Sequence, residues 1–337
     1  LNTPRCDGCS LAGALSVATA VSDGITIVHG PAGCAHHHVS LLLTTVLDRP
    51  GARLPIVLAD ALGESEVIFG GESALVEAIE EARASAPASI AIISTCVAEA
   101  IGDDCAAVAE RWAADRPVVV VPAGGFLGGG FLEGERAALG AYAALSTRLK
   151  APEDDGAPVV ALIGEKNLEY EADAHASEID RLLQRLDLSV GLRFLRETTT
   201  SDLGRLPRSD LLVLREQALG PVADRLPVRP DTPRIDGFPV GLTNTLAFLQ
   251  AAGHGLGLDP AAASEAEFDH QETVLARYGD LSGVRVRLPT AVPWAIELAH
   301  ALDMTVDPTG IPVPIPDPAP VGTAGIARLL ARWRRAV

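Results

Sequence analysis

Three cysteines stand where the chain could do redox or metal chemistry. Cys34 closes the run Ile25-Thr-Ile-Val-His-Gly-Pro-Ala-Gly-Cys, Cys96 closes Ile90-Ala-Ile-Ile-Ser-Thr-Cys, and Cys9 precedes Ser-Leu-Ala-Gly13 on an N-terminal loop. The first two end short apolar strand patterns, and Gly30, Pro31 and Gly33 supply a tight turn ahead of Cys34. Ligands of open α/β sheets sit beyond the carboxyl ends of strands, so two strand-end thiols and one loop thiol can meet at a single rim. His36, His37 and His38 follow directly. Imidazole titrates near neutrality and ligates metals, which makes this triplet a candidate for proton delivery or for a metal or carboxylate contact.

The two other cysteines, Cys6 and Cys105, are read differently. Cys105 follows Gly102-Asp-Asp in a helical pattern and is expected to be a small buried hydrophobe. Cys6 and Cys9 form a Cys-x-x-Cys pair, but structural zinc wants a second close pair and none follows. A redox dithiol usually precedes a helix within a βαβ unit, unlike this N-terminal pair. Iron–sulfur clusters accept thiolates from scattered loops, and three cysteines on one rim suit that chemistry best.

Composition limits the partners. Lys and Arg total 27 against 44 Asp and Glu, and the formal charge of −17 argues against nucleic acid and against anionic membrane surfaces. No run of about eighteen uncharged apolar residues occurs and no leader is recognised, so a soluble cytoplasmic protein is expected.

The elements that must position the thiols alternate along the 337 residues. Strands are expected at Ile25–Val28, Ile90–Ser94 and Pro117–Val121, with helices at 72–84, 98–114 and 133–149. The glycine-rich stretch 123–131 lacks both the Gly-Lys-Ser/Thr ending and the GxGxxG spacing, so no nucleotide is expected on this chain. A linker by composition, 151–158, leads to strands at 159–164, 189–195 and 211–214 and helices at 173–186 and 243–250. A third set follows: helices 261–278, 291–302 and 323–335, a strand at 284–288, and a proline-rich segment, 308–320, that cannot be a central strand. The fold class is therefore α/β: three Rossmann-like units with parallel sheets, the third curtailed. The intervals are 1–150 (iron–sulfur-binding), 151–257, and 258–337 with its C-terminal helix.

Taken together, Cys9-Ser-Leu-Ala-Gly13, His29-Gly-Pro-Ala-Gly-Cys34, Glu66-Val-Ile-Phe-Gly-Gly71 and Ser94-Thr-Cys96 leading to Ile101-Gly-Asp-Asp104 resemble the nitrogenase component 1 family. That family includes nitrogenase subunits, their cofactor-assembly scaffolds, dark protochlorophyllide reductases and the smaller nickel-tetrapyrrole reductases. The resemblance continues more weakly through 122–134, Ile163-Gly-Glu165 and 238–249.

The resemblance implies that Cys9, Cys34 and Cys96 ligate an iron–sulfur cluster, most simply [4Fe-4S], at a subunit interface. No cysteine follows Cys105, so the thiolate that anchors the iron–molybdenum cofactor in nitrogenase has no counterpart, and the chain is short. In size and motifs it is most similar to the catalytic component of the nickel-sirohydrochlorin a,c-diamide reductive cyclase (CfbD type) of coenzyme F-430 biosynthesis in methanogens. That implies a homodimer, or a heterodimer with a paralogue, receiving electrons from an ATP-hydrolysing iron–sulfur reductase and reducing a nickel tetrapyrrole. A cluster-assembly scaffold and a reductase of another tetrapyrrole are the alternatives. Glu64 and Glu66 are expected to be solvated or capping, and Arg193 and Arg196 to form surface salt bridges rather than to bind substrate carboxylates.

Overall fold

The computed structural model describes residues 6–47, 53–127, 129–153 and 156–337. Asp154 and Asp155 of the expected linker and Gly128 of the glycine-rich stretch lie outside the described residues. In chain order the first unit runs α1 (Ser10–Ala18), β1 (Gly24–His29), α2 (Ala32–Leu47), β2 (Ile56–Ala59), α3 (Glu64–Phe69), α4 (Glu72–Ala84), β3 (Ser89–Ser94), α5 (Cys96–Ile101), α6 (Cys105–Glu110), β4 (Val118–Pro122) and α7 (Phe131–Ser146). The second comprises β5 (Val160–Ile163), α8 (Ala172–Gln184), β6 (Val190–Phe194), β7 (Leu211–Leu214), α9 (Gly220–Ala223), β8 (Arg234–Ile235) and α10 (Leu242–Gly255). The third comprises α11 (Ala261–Ala276), β9 (Arg285–Arg287), α12 (Pro293–Ala301), β10 (Thr305–Val306), β11 (Ile311–Pro312) and α13 (Gly322–Ala336). We propose the intervals 1–150, 151–257 and 258–337 as the division of the chain.

All three sheets are parallel. Their orders are β2-β1-β3-β4, β6-β5-β7-β8 and β10-β9-β11. In each, the first strand of the unit sits inside, the second beside it on one flank and the third on the other. The chain therefore changes direction across the sheet between β1 and β3, and again between β5 and β7. Loops leaving the carboxyl ends of such a pair diverge and open a crevice, which is where α/β sheets take ligands.

Strand burial explains why these segments pair in parallel. Ile25 and Ile27, Ile90 and Ile92, and Val118 face α4 and α6, whereas Val28, Ile93, Val119 and Val121 face α1 and α7. Both faces are apolar, so the sheet needs a layer on each side. The second sheet repeats this: Val160, Leu162, Leu211 and Val213 pack on α8 and α10, while Ala161, Ile163, Leu212 and Leu214 join the core of α1 and α7. The first two units thus share one core, with Ala138, Leu139 and Tyr142 of α7 inside it.

One helical expectation is corrected, and one helix lies beyond those expected. The span 98–114 is not one helix, because Gly102 adopts a left-handed conformation (φ +83°) that ends α5, and Asp104 caps a new helix by accepting from the Ala107 N–H at 2.9 Å. The residues after Cys34 continue as α2, so the histidine triplet lies on a helix. In the proline-rich segment β11 is an edge strand, as proline requires. Cys105 is buried, and no helix among the described residues is long and apolar enough to cross a membrane.

Candidate functional site

Cys9, Cys34 and Cys96 arrive at the first crevice from different elements. Cys34 lies in the first turn of α2, Cys96 starts α5 after β3, and Cys9 immediately precedes α1. Helices α1 and α7 approach so closely that a Cβ on Gly134 would come 1.8 Å from the Ser10 carbonyl oxygen, and one on Gly13 would come 1.9 Å from that of Phe131. Only glycine permits this approach. It pairs Cys9 with Gly130 as an antiparallel bridge and brings the Gly125 backbone against the Cys9 side chain. The Ser10 hydroxyl fastens the same corner by donating to the Ala123 carbonyl at 2.6 Å.

The three thiols are close enough to sense one another. Burial pushes the Cys34 thiol up, and Cys96 and then Cys9 push it in the same direction. Cys9 is exposed, while Cys34 and Cys96 are half-buried. The Phe126 N–H donates to Cys96 Sγ at 3.4 Å, and the Phe126 side chain is 88% exposed beside it.

Of the histidines, His38 turns back to the thiols and His36 and His37 are exposed. His38 Nδ1 donates to the Cys34 carbonyl at 2.7 Å, which leaves Nε2 as the acceptor facing Cys9 Sγ at 3.1 Å. Burial holds the His38 ring below the usual imidazole range, opposed by the bond to Cys34 and reinforced by His37. His38 thereby ties the first turn of α2 to the sulfur of Cys9.

Cys6 does not share this environment. Burial pushes its thiol up to about 12, with Glu169 raising it further, Lys166 opposing, and Glu135 and Arg215 also in range. The Cys-x-x-Cys pair is therefore split between two surroundings. Among the described residues, no group of three or more His, Cys, Asp or Glu side chains is arranged to hold a single metal ion. A cluster of several irons sets its thiolates further apart than one ion does. Three thiols converging on a partly open edge, one sulfur accepting a backbone N–H, are a donor set that fits such a cluster.

The remaining expected residues are structural. The Glu66 carboxylate accepts from the Gly63 N–H at 2.8 Å and caps α3. Arg193 pairs with Glu165 and Asp180 at 2.5 Å each. Arg196 pairs with Asp173 and lies near Glu165, and at 4% exposed it is buried rather than a surface residue.

Sequence reading did not single out His29, which is fully buried between Asp60 on Nδ1 and Asp103 on Nε2. Burial alone would lower its pKa, but the bond to Asp60 and a smaller contribution from Cys105 raise it to about 10. Its signal was the polar residue at the end of an apolar strand, directly before Gly30 and Pro31.

This arrangement defines a class: a protein of stacked parallel α/β units with a thiol-lined crevice at the first crossover. The profile described as nitrogenase component 1 type oxidoreductase matches residues 9–314, and the chain belongs to that family. The nitrogenase molybdenum-iron protein alpha chain of Methanothermobacter thermautotrophicus is 28% identical over 289 residues, covering 79% of this chain and 59% of that protein. A light-independent protochlorophyllide reductase polypeptide of Methylocella silvestris is 27% identical over 261 residues, 74% of this chain and 49% of that one. The nitrogenase iron-molybdenum cofactor biosynthesis protein NifE of Methanococcus maripaludis is 25% identical over 321 residues, 90% of this chain and 64% of that one. The chain spans about half to two-thirds of the length of these relatives. The solved structure titled Nitrogenase Cp1 at pH 5 shares the fold, with a TM-score of 0.69 at 21% identity over 89% of this chain and 63% of that one.

Proposed function

We propose that this chain is the catalytic, component 1-like subunit of an ATP-dependent nitrogenase-like reductase, with Cys9, Cys34 and Cys96 holding an iron–sulfur cluster. The single observation that carries this reading is the meeting of these three thiols at the first crevice of a family member. When bound, the cluster supplies a one-electron relay whose potential depends on burial and on hydrogen bonds to sulfur. The Phe126 N–H donates to the Cys96 sulfur, and His38 ties the first turn of α2 to the sulfur of Cys9.

The exposed Cys9 and Phe126 mark an edge for a second chain to cover. A homodimer supports this most simply, and a paralogous partner is the alternative. The electron donor is an ATP-hydrolysing iron–sulfur protein. The substrate we favour is a nickel tetrapyrrole, nickel-sirohydrochlorin a,c-diamide, on the strength of the motif resemblance and of a relative named for protochlorophyllide reduction. His36, His37 and His38 remain candidates for proton delivery.

A second reading, a scaffold on which a metal cluster is assembled and passed on, is favoured by the likeness to NifE over 90% of the chain. Anaerobic purification with iron and sulfide analysis, then incubation with the reductase, ATP and the nickel tetrapyrrole, separates the two. Turnover supports the reductase. A brown protein that turns over no tetrapyrrole and yields its cluster to an acceptor supports the scaffold, and a colourless anaerobic protein overturns both.

A further inference from the structure

The second sheet has a crevice of its own, between the loops that leave β5 and β7. Those loops carry Lys166 and Glu169 on one side and Arg215 and Glu216 on the other. Lys166 Nζ binds Glu216 at 2.8 Å, and Arg215 binds Glu169 at 2.6 Å while stacking on Phe238, 5.3 Å from the ring centroid. His175 Nδ1 adds a contact to Glu169 at 3.1 Å. Helix α7 closes this crevice from the first unit, its Arg136 donating to the Ala218 carbonyl at 3.2 Å.

The next residue down the chain from Gly134, Glu135, lies within range of these groups, 1% exposed, and its Oε2 has no hydrogen-bond partner. Two cations are already matched by two carboxylates, so nothing is left to neutralise a third. An unpaired buried carboxylate is strongly unfavourable, whereas a buried carboxylic acid is not.

We propose that Glu135 is a neutral acid that donates its proton to a substrate bound at this second crevice. The proposal deepens the reductase reading above and rests on it. In the step, a low-potential one-electron donor supplies two electrons, one at a time, to a carbon–carbon double bond of the macrocycle. The Glu135 O–H bond breaks, a C–H bond forms on the reduced ring, and a second proton arrives from water. The carboxylate left behind takes a proton from water, which restores the acid.

The electrostatics agree. Burial raises Glu135 to about 8, Lys166 opposes the rise, Glu216 and Glu169 add to it, and Arg215 opposes it. An acid with a pKa near the working pH both holds and releases its proton efficiently. The Cys6 thiol, also in range of Glu135, is held too high to compete.

The test uses the full chain, wild type and Glu135→Gln, with two readouts. Infrared spectra of the protein, with or without iron, are expected to show a protonated-carboxyl band near neutral pH that bleaches as pH rises through about 8 and is missing in E135Q. Tetrapyrrole turnover in E135Q is expected to fall at least about a hundredfold, with iron content and dithionite reduction unchanged, and Glu135→Asp to recover part of it. A wild-type spectrum without the band overturns the proposal, and so does an E135Q variant that turns over normally. A wild type that shows the band but reduces no tetrapyrrole sinks the reductase reading and the proton donation with it, an outcome distinct from the other two.

Discussion

Asp103 accepts a hydrogen bond from His29 Nε2 at 2.9 Å and, through the same carboxylate, from the Gly71 N–H at 2.9 Å. Asp60 mirrors it, engaging His29 Nδ1 and accepting from the Gly30 N–H at 3.0 Å. One buried imidazolium thus fastens the turn before Cys34, the loop after β2, the start of α4 and the break that follows the Cys96 helix. Asp103→Ala removes half of its counter-charge and leaves a buried cation short of a partner. That substitution is expected to cost roughly 3–5 kcal/mol in chemical unfolding. A loss below about 1 kcal/mol would show that the pair does not hold these loops.

The same imidazole sets an alkaline limit. Its pKa is about 10 in the folded chain against an ordinary value of 6.5, so the folded state binds its proton more tightly. The stabilisation is complete below about pH 6.5 and is lost as pH rises through about 10. Unfolding midpoints recorded from pH 6.5 upward are expected to fall more steeply for the wild type than for His29→Gln. Parallel curves would sink this assignment.

The four cysteines near the N-terminal half of the site separate by environment. Cys9→Ser, Cys34→Ser and Cys96→Ser are each expected to lower iron content in anaerobic preparations to a minor fraction. Cys6→Ser, whose thiol is kept protonated by burial and by Glu169, is expected to retain iron. Equal iron loss in all four variants would mean that Cys6 is part of the ligand set.

Much of this was legible in the chain because its signals are local. The short apolar runs at Ile90–Ser94 and 118–121 mark strands buried on both faces, and the parallel order follows. Helix α2 was hidden because Pro31 and Gly33 read as a turn, whereas proline also suits the approach to a helix. Gly102 looked tolerable inside a helix and proved to be its stop. The cysteines were visible as residue types at strand ends. Glu135 was not, because an outward-reading glutamate in a helical pattern becomes unusual only when Lys166, Glu169, Arg215 and Glu216 close over it from another sheet. The same holds for His29, whose partners lie 31 and 74 residues away.

The acid limit of stability comes from the seam between the second and third sheets. Glu267 of α11, 0% exposed, receives Arg181 at 2.7 Å, Arg185 at 2.8 Å and the Thr323 hydroxyl at 2.6 Å, tying α8, α11 and α13 together. Burial would raise its pKa, but Arg181 and Thr323, then Arg185, outweigh it and hold the carboxyl below its ordinary value of 4.5. A depressed carboxyl stabilises the fold above its unfolded pKa and loses that contribution as pH falls through the folded value. Glu267→Gln keeps the volume but leaves Arg181 with Glu178 alone and takes from Arg185 its carboxylate, so the variant is expected to lose about 1–3 kcal/mol at pH 7 and to show a shallower decline below pH 4.5. The decisive measurement is denaturant unfolding of both chains at pH 7 and pH 4. If the gap between them fails to narrow on acidification, the charge on Glu267 is not what holds α13 to α8.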